Sequence, residues 1–260
     1  MSEEIHEPER GPSLPEIRGV GMAAPLRWLR AGLGDFRKAP VPSGFYGVVL
    51  AAMGAALANF SGAGAVELAL VTGFLLVGPF LLMGLYDIAR RVQRGEDVMI
   101  GPTMVAWKAN MSSIGLYAII LALLLAVWIR ISIVVVALFF EGAPPSASSL
   151  LKDVMGSPEA LTFVAAYAAA GFGFALFVFA TSVVSLPMLY DREEMDTLTA
   201  MITSFNALRL NFWPMLLWAL IIVALTAVGF ATLYVGLVLV LPLVGLATWH
   251  AYREVVAPPA

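Results

Sequence analysis

Six stretches of this chain are apolar over the length that a helix needs to cross a bilayer, and that pattern limits the fold more than any other. A crossing helix takes about 20 mostly apolar residues, because each residue advances about 1.5 Å through a hydrocarbon layer of about 30 Å. The stretches are residues 44–60, 66–88, 111–140, 161–190, 212–228 and 231–250. In hydrocarbon the backbone must satisfy its own hydrogen bonds, so each stretch is predicted to be helical and the chain an all-α membrane bundle. The third and fourth are long enough to require tilt or a kink. Short connections around Ser61–Ala65 and Gly229–Phe230 predict tight antiparallel pairs, and the six spans read as three hairpins.

Only 13% of the 260 residues are charged, against about 25% in a soluble domain. Their distribution carries the information. Arg18, Arg27, Arg30, Arg37 and Lys38 precede the first stretch, and Arg90, Arg91, Arg94 and Lys108 separate the second from the third. Arg192 and Arg209 separate the fourth from the fifth, and Arg253 follows the sixth; Lys152 alone falls on the other side. Basic residues stay on the cytoplasmic side of a membrane, so both termini are predicted to be cytoplasmic. Residues 1–20, acidic and proline-bearing, are expected to form a disordered cytoplasmic tail, and 21–256 the transmembrane domain. The tail lacks the basic start and apolar run of a signal peptide, so the first span is expected to serve as an uncleaved insertion signal.

A periodicity recurs before each odd-numbered span. Leu26, Leu29, Leu33 and Phe36, then Met104, Trp107, Met111 and Ile114, then Met195, Leu198, Ile202 and Phe205 share the spacing three, four, three. Such a stripe fits a helix lying in the interface with one face against the acyl chains. Pro25 and Pro102 suit a first helical turn, and Asp191 with Glu194 reads as a capping box. The spacing suggests a unit of interfacial helix, span out and span back used three times, although any interfacial helix shows such a stripe. The returning spans share part of a second pattern: Tyr86 and Arg90 follow Pro79 as Trp249 and Arg253 follow Pro242, while Pro187 lies only five residues before Arg192.

Few residues are candidates for chemistry. Arg130 is a charge inside an apolar stretch, which marks either a solute contact or a side chain reaching the outer headgroups. It follows Asn110 by about one bilayer thickness, which favours the second. His250, beside Trp249 at the end of the sixth span, is either a ligand or proton carrier or, as its setting favours, an anchor in an aromatic belt. Asp191, Arg192, Glu193, Glu194 and Asp196 cluster in sequence, but neighbouring carboxylates on a helix diverge and make a poor cation site. Asp87 and Arg91 are spaced to pair on a helix. Pro79, Pro187 and Pro242 interrupt spans, and broken helices can line a transport path. Gly54, Ala58 and Gly62, and the Ala/Gly run 165–173, permit close helix contact.

The chain has no cysteine and only His6 and His250, which removes thiolate metal sites and leaves almost no imidazole for metal or haem, although a methionine could serve as a second axial ligand beside His250. No carboxylate lies well inside a span, whereas a proton-coupled transporter normally needs one. No phosphate loop or HExxH occurs. Ser185 with His250 lacks the sequence surroundings of an intramembrane serine protease. No catalytic residue, cofactor or metal is therefore expected, and no nucleic acid partner.

The segments AGLGDFRKAP (31–40), GFLLVGPFLLMGLYDIARRVQRGED (73–97), SLPMLYDREE (185–194), NFWPMLLWALII (211–222) and PLVGLATWHAYRE (242–254) resemble an uncharacterised family of proteobacterial integral membrane proteins. The resemblance implies the bacterial inner membrane and brings no catalytic residues. Some members are labelled as similar to cytochrome c oxidase subunit I, but a haem–copper core needs buried histidines that these spans lack. The expected function is a non-enzymatic accessory, scaffold or assembly component of a larger, respiratory or other, inner-membrane complex, with protein partners or copies of itself. The alternative is a transporter or channel for a small or apolar solute through the proline breaks and Arg130. A third reading, a lipid enzyme at the cytoplasmic interface, would use Asp191, Glu194 or His250. The residues singled out are Pro79, Asp87, Arg90, Arg130, Pro187, Asp191, Arg192, Pro242, His250 and Arg253.

Overall fold

The computed structural model describes residues 14–59, 65–140 and 158–258. Its helices are α1 (Ala24–Lys38), α2 (Pro40–Asn59), α3 (Ala65–Arg94), α4 (Ile100–Thr103), a 3₁₀ turn (Ala106–Asn110) and α5 (Met111–Phe139). They continue as α6 (Pro158–Ser182), α7 (Ser185–Asp191), α8 (Thr197–Leu210), α9 (Phe212–Ala231) and α10 (Leu237–Val255). Among the described residues the one extended pairing is an isolated antiparallel bridge between Ile17 and Val256. The fold is all-α. Among the described residues four helical stretches are long and apolar enough to cross a membrane: Pro40–Asn59, Ile100–Phe139, Ala160–Asp191 and Phe212–Ala231. The second and sixth apolar stretches of the sequence form α3 and α10.

The element order repeats as a short helical piece, a long helix and a second long helix. Each short piece packs on the helix before it, α8 on α7 and the 3₁₀ turn on α3, while α1 packs on α10 and closes the series. Gly32 makes that closure possible, since a Cβ there would stand 2.7 Å from the backbone nitrogen of Ala247. Gly47 does the same for α2 against α10, where a Cβ would overlap the carbonyl of Val238. Outward, the pattern of burial inverts. Leu123, Ile133 and Leu138 on α5 are exposed, Leu138 by 75%, as on a helix solvated by lipid. Leu26 and Leu33 of the first stripe, and Leu198, Ile202 and Phe205 of the third, also face away from the bundle.

Several expected boundaries move. The turn expected at Gly229–Phe230 lies at residues 232–236, with Leu233 and Tyr234 left-handed at φ 53° and 68°. Gly229 is helical and serves packing, because a Cβ there would overlap Leu237. The stretch 161–190 breaks at Val183–Val184, where Pro187 cannot supply the N–H for the carbonyl four residues back. The Val184 N–H instead bonds Ser204 Oγ at 3.2 Å. Pro79 and Pro242 lie inside helices that continue through them. The second stripe is not one helix, since a turn at 104–105 and a 3₁₀ turn divide it. The expected Asp191–Glu194 box is absent. Asp196 caps α8 by accepting the Thr199 N–H at 2.9 Å, and that bonding to Thr199 holds its pKa below the ordinary aspartate value. The connection at 61–64 lies outside the described residues, and so do residues 1–13 of the acidic tail. Residues 14–20 run along the end of α10, with the Arg18 N–H on the Val255 carbonyl at 2.7 Å.

Candidate functional site

The ends of α3, α7 and α10 build one polar plate. Each presents an aromatic residue followed by a polar one: Tyr86–Asp87, Tyr190–Asp191 and Trp249–His250. The three aromatics are buried together, with Trp249 6.3 Å from Tyr86 and 6.0 Å from Tyr190 between ring centroids. Around them the acids pass hydrogen bonds from helix to helix. Asp87 on α3 accepts the Tyr190 hydroxyl of α7 at 2.6 Å. Asp191, ending α7, accepts the Tyr252 hydroxyl of α10 at 2.7 Å and Arg253 at 3.0 Å. Glu254 of α10 accepts the Trp28 indole of α1 at 2.7 Å and pairs with Arg27. Gln93 of α3 accepts the Trp249 indole of α10 at 3.0 Å and closes the ring, and α1 hangs on it from α10.

Asp87 is buried and ionised groups need partners there. Arg91 donates to it at 2.8 Å and Arg90 at 3.3 Å, and Arg90 also lies 4.4 Å over the Tyr190 ring. The bond to Asp87 raises the Arg91 pKa above its ordinary value. Burial, then the Asp191 charge, raises that of Tyr252. Arg192 reaches the Ala257 carbonyl at 2.5 Å and the Tyr252 hydroxyl at 3.3 Å. These charges are consumed within the plate.

His250 has a tautomer set by its neighbours. The Trp249 indole can only donate, and it donates to Gln93 Oε1 at 3.0 Å. That turns the Gln93 amide nitrogen toward His250 Nδ1 at 3.2 Å, so Nδ1 accepts. The proton sits on Nε2, which donates to Asp35 at 2.6 Å. His250 thus ties α10 to α1.

Directly above the aromatics lies an apolar cavity of about 340 Å³, lined by α2, α3, α5, α6, α7, α9 and α10 together with the α6–α7 break. One turn above the three aromatics stand Leu82, Leu186 and Gly245, and about two turns above stand Pro79, Val183 and Leu241. The cavity thus meets the three returning helices at matching heights. Leu50, Leu121 and Ile222 complete it from the outgoing ones. No charged residue lines it. Its size falls at the small end of ligand sites.

Residues 67–191, from within α3 to the end of α7, match the family model described as "Predicted integral membrane protein (DUF2189)". Over this segment the chain is similar to the DUF2189 family. It is an integral membrane protein. No curated protein and no solved structure matches the chain. The DUF2189 segment supplies Pro79, Tyr86, Asp87, Arg90, Pro187, Tyr190 and Asp191, hence one cavity proline and two of the three aromatic–polar pairs.

Of the residues singled out in the sequence, Asp87, Arg90, Asp191, Arg192, His250 and Arg253 meet in the plate, and Pro79 lines the cavity. Pro187 and Pro242 are buried next to cavity residues Leu186 and Leu241. Arg130 joins neither; it lies exposed on the outer face of α5 beside Val127 and Ile131, without a partner among the described residues. Ser185 donates to the Thr181 and Ala200 carbonyls, at 2.5 and 3.1 Å, and His250 to Asp35, so the two form no catalytic pair.

Two functional positions were not read from the sequence. Asn110, just before α5, holds the Leu189, Arg192 and Met195 carbonyls through Nδ2, at 3.3, 3.4 and 2.9 Å. Asn211, just before α9, holds the Arg18 carbonyl at 3.0 Å and the Val20 N–H at 2.7 Å. Each clamps the segment that leads into another short helix, α8 or α1. An asparagine abutting the start of an apolar stretch was the available signal.

Proposed function

We propose that this protein receives a small apolar solute in the cavity between its six long helices, as a transporter or channel does, and performs no chemistry on it. The observation that carries this reading is the cavity itself: apolar, uncharged, and met at matching heights by α3, α7 and α10. Its lining holds no carboxylate, imidazole, lysine or arginine, and the Ser182 and Thr248 hydroxyls are engaged by backbone carbonyls, which supports a non-enzymatic role. In this reading six helices cross the bacterial inner membrane as three hairpins, and α1 and α8 lie at its surface on their exposed apolar stripes. The plate faces the cytoplasm with both termini, in keeping with the arginines gathered there.

The test is saturable retention of tritiated dodecane by nanodiscs carrying the full chain, measured against empty nanodiscs. Leu121 is half-buried on α5 and lines the cavity, so Leu121→Trp fills it. Retention by the wild type and its loss in this variant support the reading; equal retention by all three samples defeats it.

A second reading, an accessory or scaffold subunit, has its own support. The outer parts of α5 and α6 touch mainly each other, through Trp128 with Tyr167 and Phe174, and Phe139 with Phe163. Among the described residues Ile133, Leu138, Leu161 and Phe172 on them face outward, as on helices that receive a partner. Stoichiometric partner subunits after mild-detergent purification are its expected result.

A further inference from the structure

The cavity floor carries a donor without an acceptor, and it defines the solute more narrowly. Tyr86 lines the cavity, is 2% exposed, and its hydroxyl has no hydrogen-bond partner among the described residues. Tyr117 on α5 lies beside it but is fully buried behind the lining, with the Ser182 hydroxyl at hand as its acceptor. A buried hydroxyl without an acceptor is costly and rare. The two other hydroxyls at this level are already committed. Ser182 donates to the Val178 carbonyl at 2.6 Å, and Thr248 to the Val244 carbonyl at 2.8 Å. The floor therefore offers one uncommitted O–H donor of a neutral residue, Tyr86, while the walls above are hydrocarbon.

A carboxylate or phosphate would enter without a cation to meet it, because Arg90 and Arg91 are engaged by Asp87 within the plate. An ammonium would find no carboxylate among the lining residues. A pure alkane would leave the Tyr86 donor unpaired. We infer that the cavity takes an uncharged amphiphile, a hydrocarbon chain ending in a hydrogen-bond-accepting oxygen such as a ketone or ester, seated with that oxygen on the Tyr86 hydroxyl. This rests on the apolar-solute reading above and names the solute class.

The experiment compares 2-dodecanone, dodecane and dodecanoate, each tritiated, on the full chain in nanodiscs. The ketone is expected to be retained roughly tenfold more tightly than the alkane, the worth of about one hydrogen bond, and dodecanoate least. The infrared carbonyl band of bound ketone shifts to the hydrogen-bonded position in the wild type. Tyr86→Phe removes the ketone preference and the band shift while dodecane retention persists, which certifies the fold. Equal retention of ketone and alkane, an unshifted band, or a preference that survives this substitution overturns the inference and leaves the apolar-solute reading standing. Absence of saturable retention for all three probes overturns both.

Discussion

The Tyr190 hydroxyl donates to Asp87 at 2.6 Å across 103 residues of chain, joining the end of α7 to the end of α3 at a carboxylate that also holds two arginines. Tyr190→Phe removes a hydrogen bond to a charged acceptor, worth about 1.5–3 kcal/mol. Asp87→Ala leaves Arg90 and Arg91 half-buried without their acid and costs more, about 3 kcal/mol. Thermal unfolding in detergent ranks the two, and a double-mutant cycle with Arg91→Ala is expected to show coupling.

Ala39 occupies, before α2, the place that Asn110 and Asn211 occupy before α5 and α9. The three share a backbone conformation: φ/ψ of −130°/60°, −142°/60° and −115°/37°. Alanine cannot clamp, and a groove of about 400 Å³ lies there against Glu96, Asp97 and Val98. Ala39→Asn is expected to bond this segment and stabilise the protein by about 1 kcal/mol, read as a raised Tm.

Gly47 and Gly245 sit where a methyl group would strike a neighbour, Val238 backbone and Leu85 respectively. Gly101 faces open space. Alanine at Gly47 therefore separates α2 from α10, with a loss of about 3 kcal/mol or more from overpacking, whereas Gly101→Ala leaves the melting curve nearly unchanged.

The Asp196 cap predicts a pH effect with a definite sign. Its pKa is lowered by the fold, so its contribution is present above the ordinary aspartate pKa and disappears as pH falls through the lower folded value. Asp196→Ala costs about 1 kcal/mol at neutral pH, and the gap between variant and wild type closes on acidification from about pH 4 downward. Denaturation followed by circular dichroism across that range measures it.

The apolar stretches made the long helices legible, because hydrocarbon leaves the backbone few alternatives. Their ends were less so. Glycine suggested a turn at 229, yet in α9 its missing side chain admits Leu237, and the chain turns afterwards through left-handed Leu233 and Tyr234. Pro187 signalled a break, while Pro79 and Pro242, alike in sequence, pass through intact helices. The pattern of Tyr86 and Trp249 was visible, but counting from proline displaced Tyr190; counting from the plate restores it. Asp87–Arg91 could be read because it spans one helical turn. The bonds Tyr190–Asp87, Tyr252–Asp191 and His250–Asp35 could not, since each joins residues far apart in the chain and exists only after the helices have packed.

The central claim is an apolar cavity on top of Tyr86, Tyr190 and Trp249, and xenon reports such cavities directly because it enters dry hydrocarbon-lined space. Crystals of the full chain pressurised with xenon should show an anomalous peak between Leu82, Leu186 and Leu241, lost in Leu121→Trp. A peak only along the outer face of α5 beside Arg130, or none, would contradict the account.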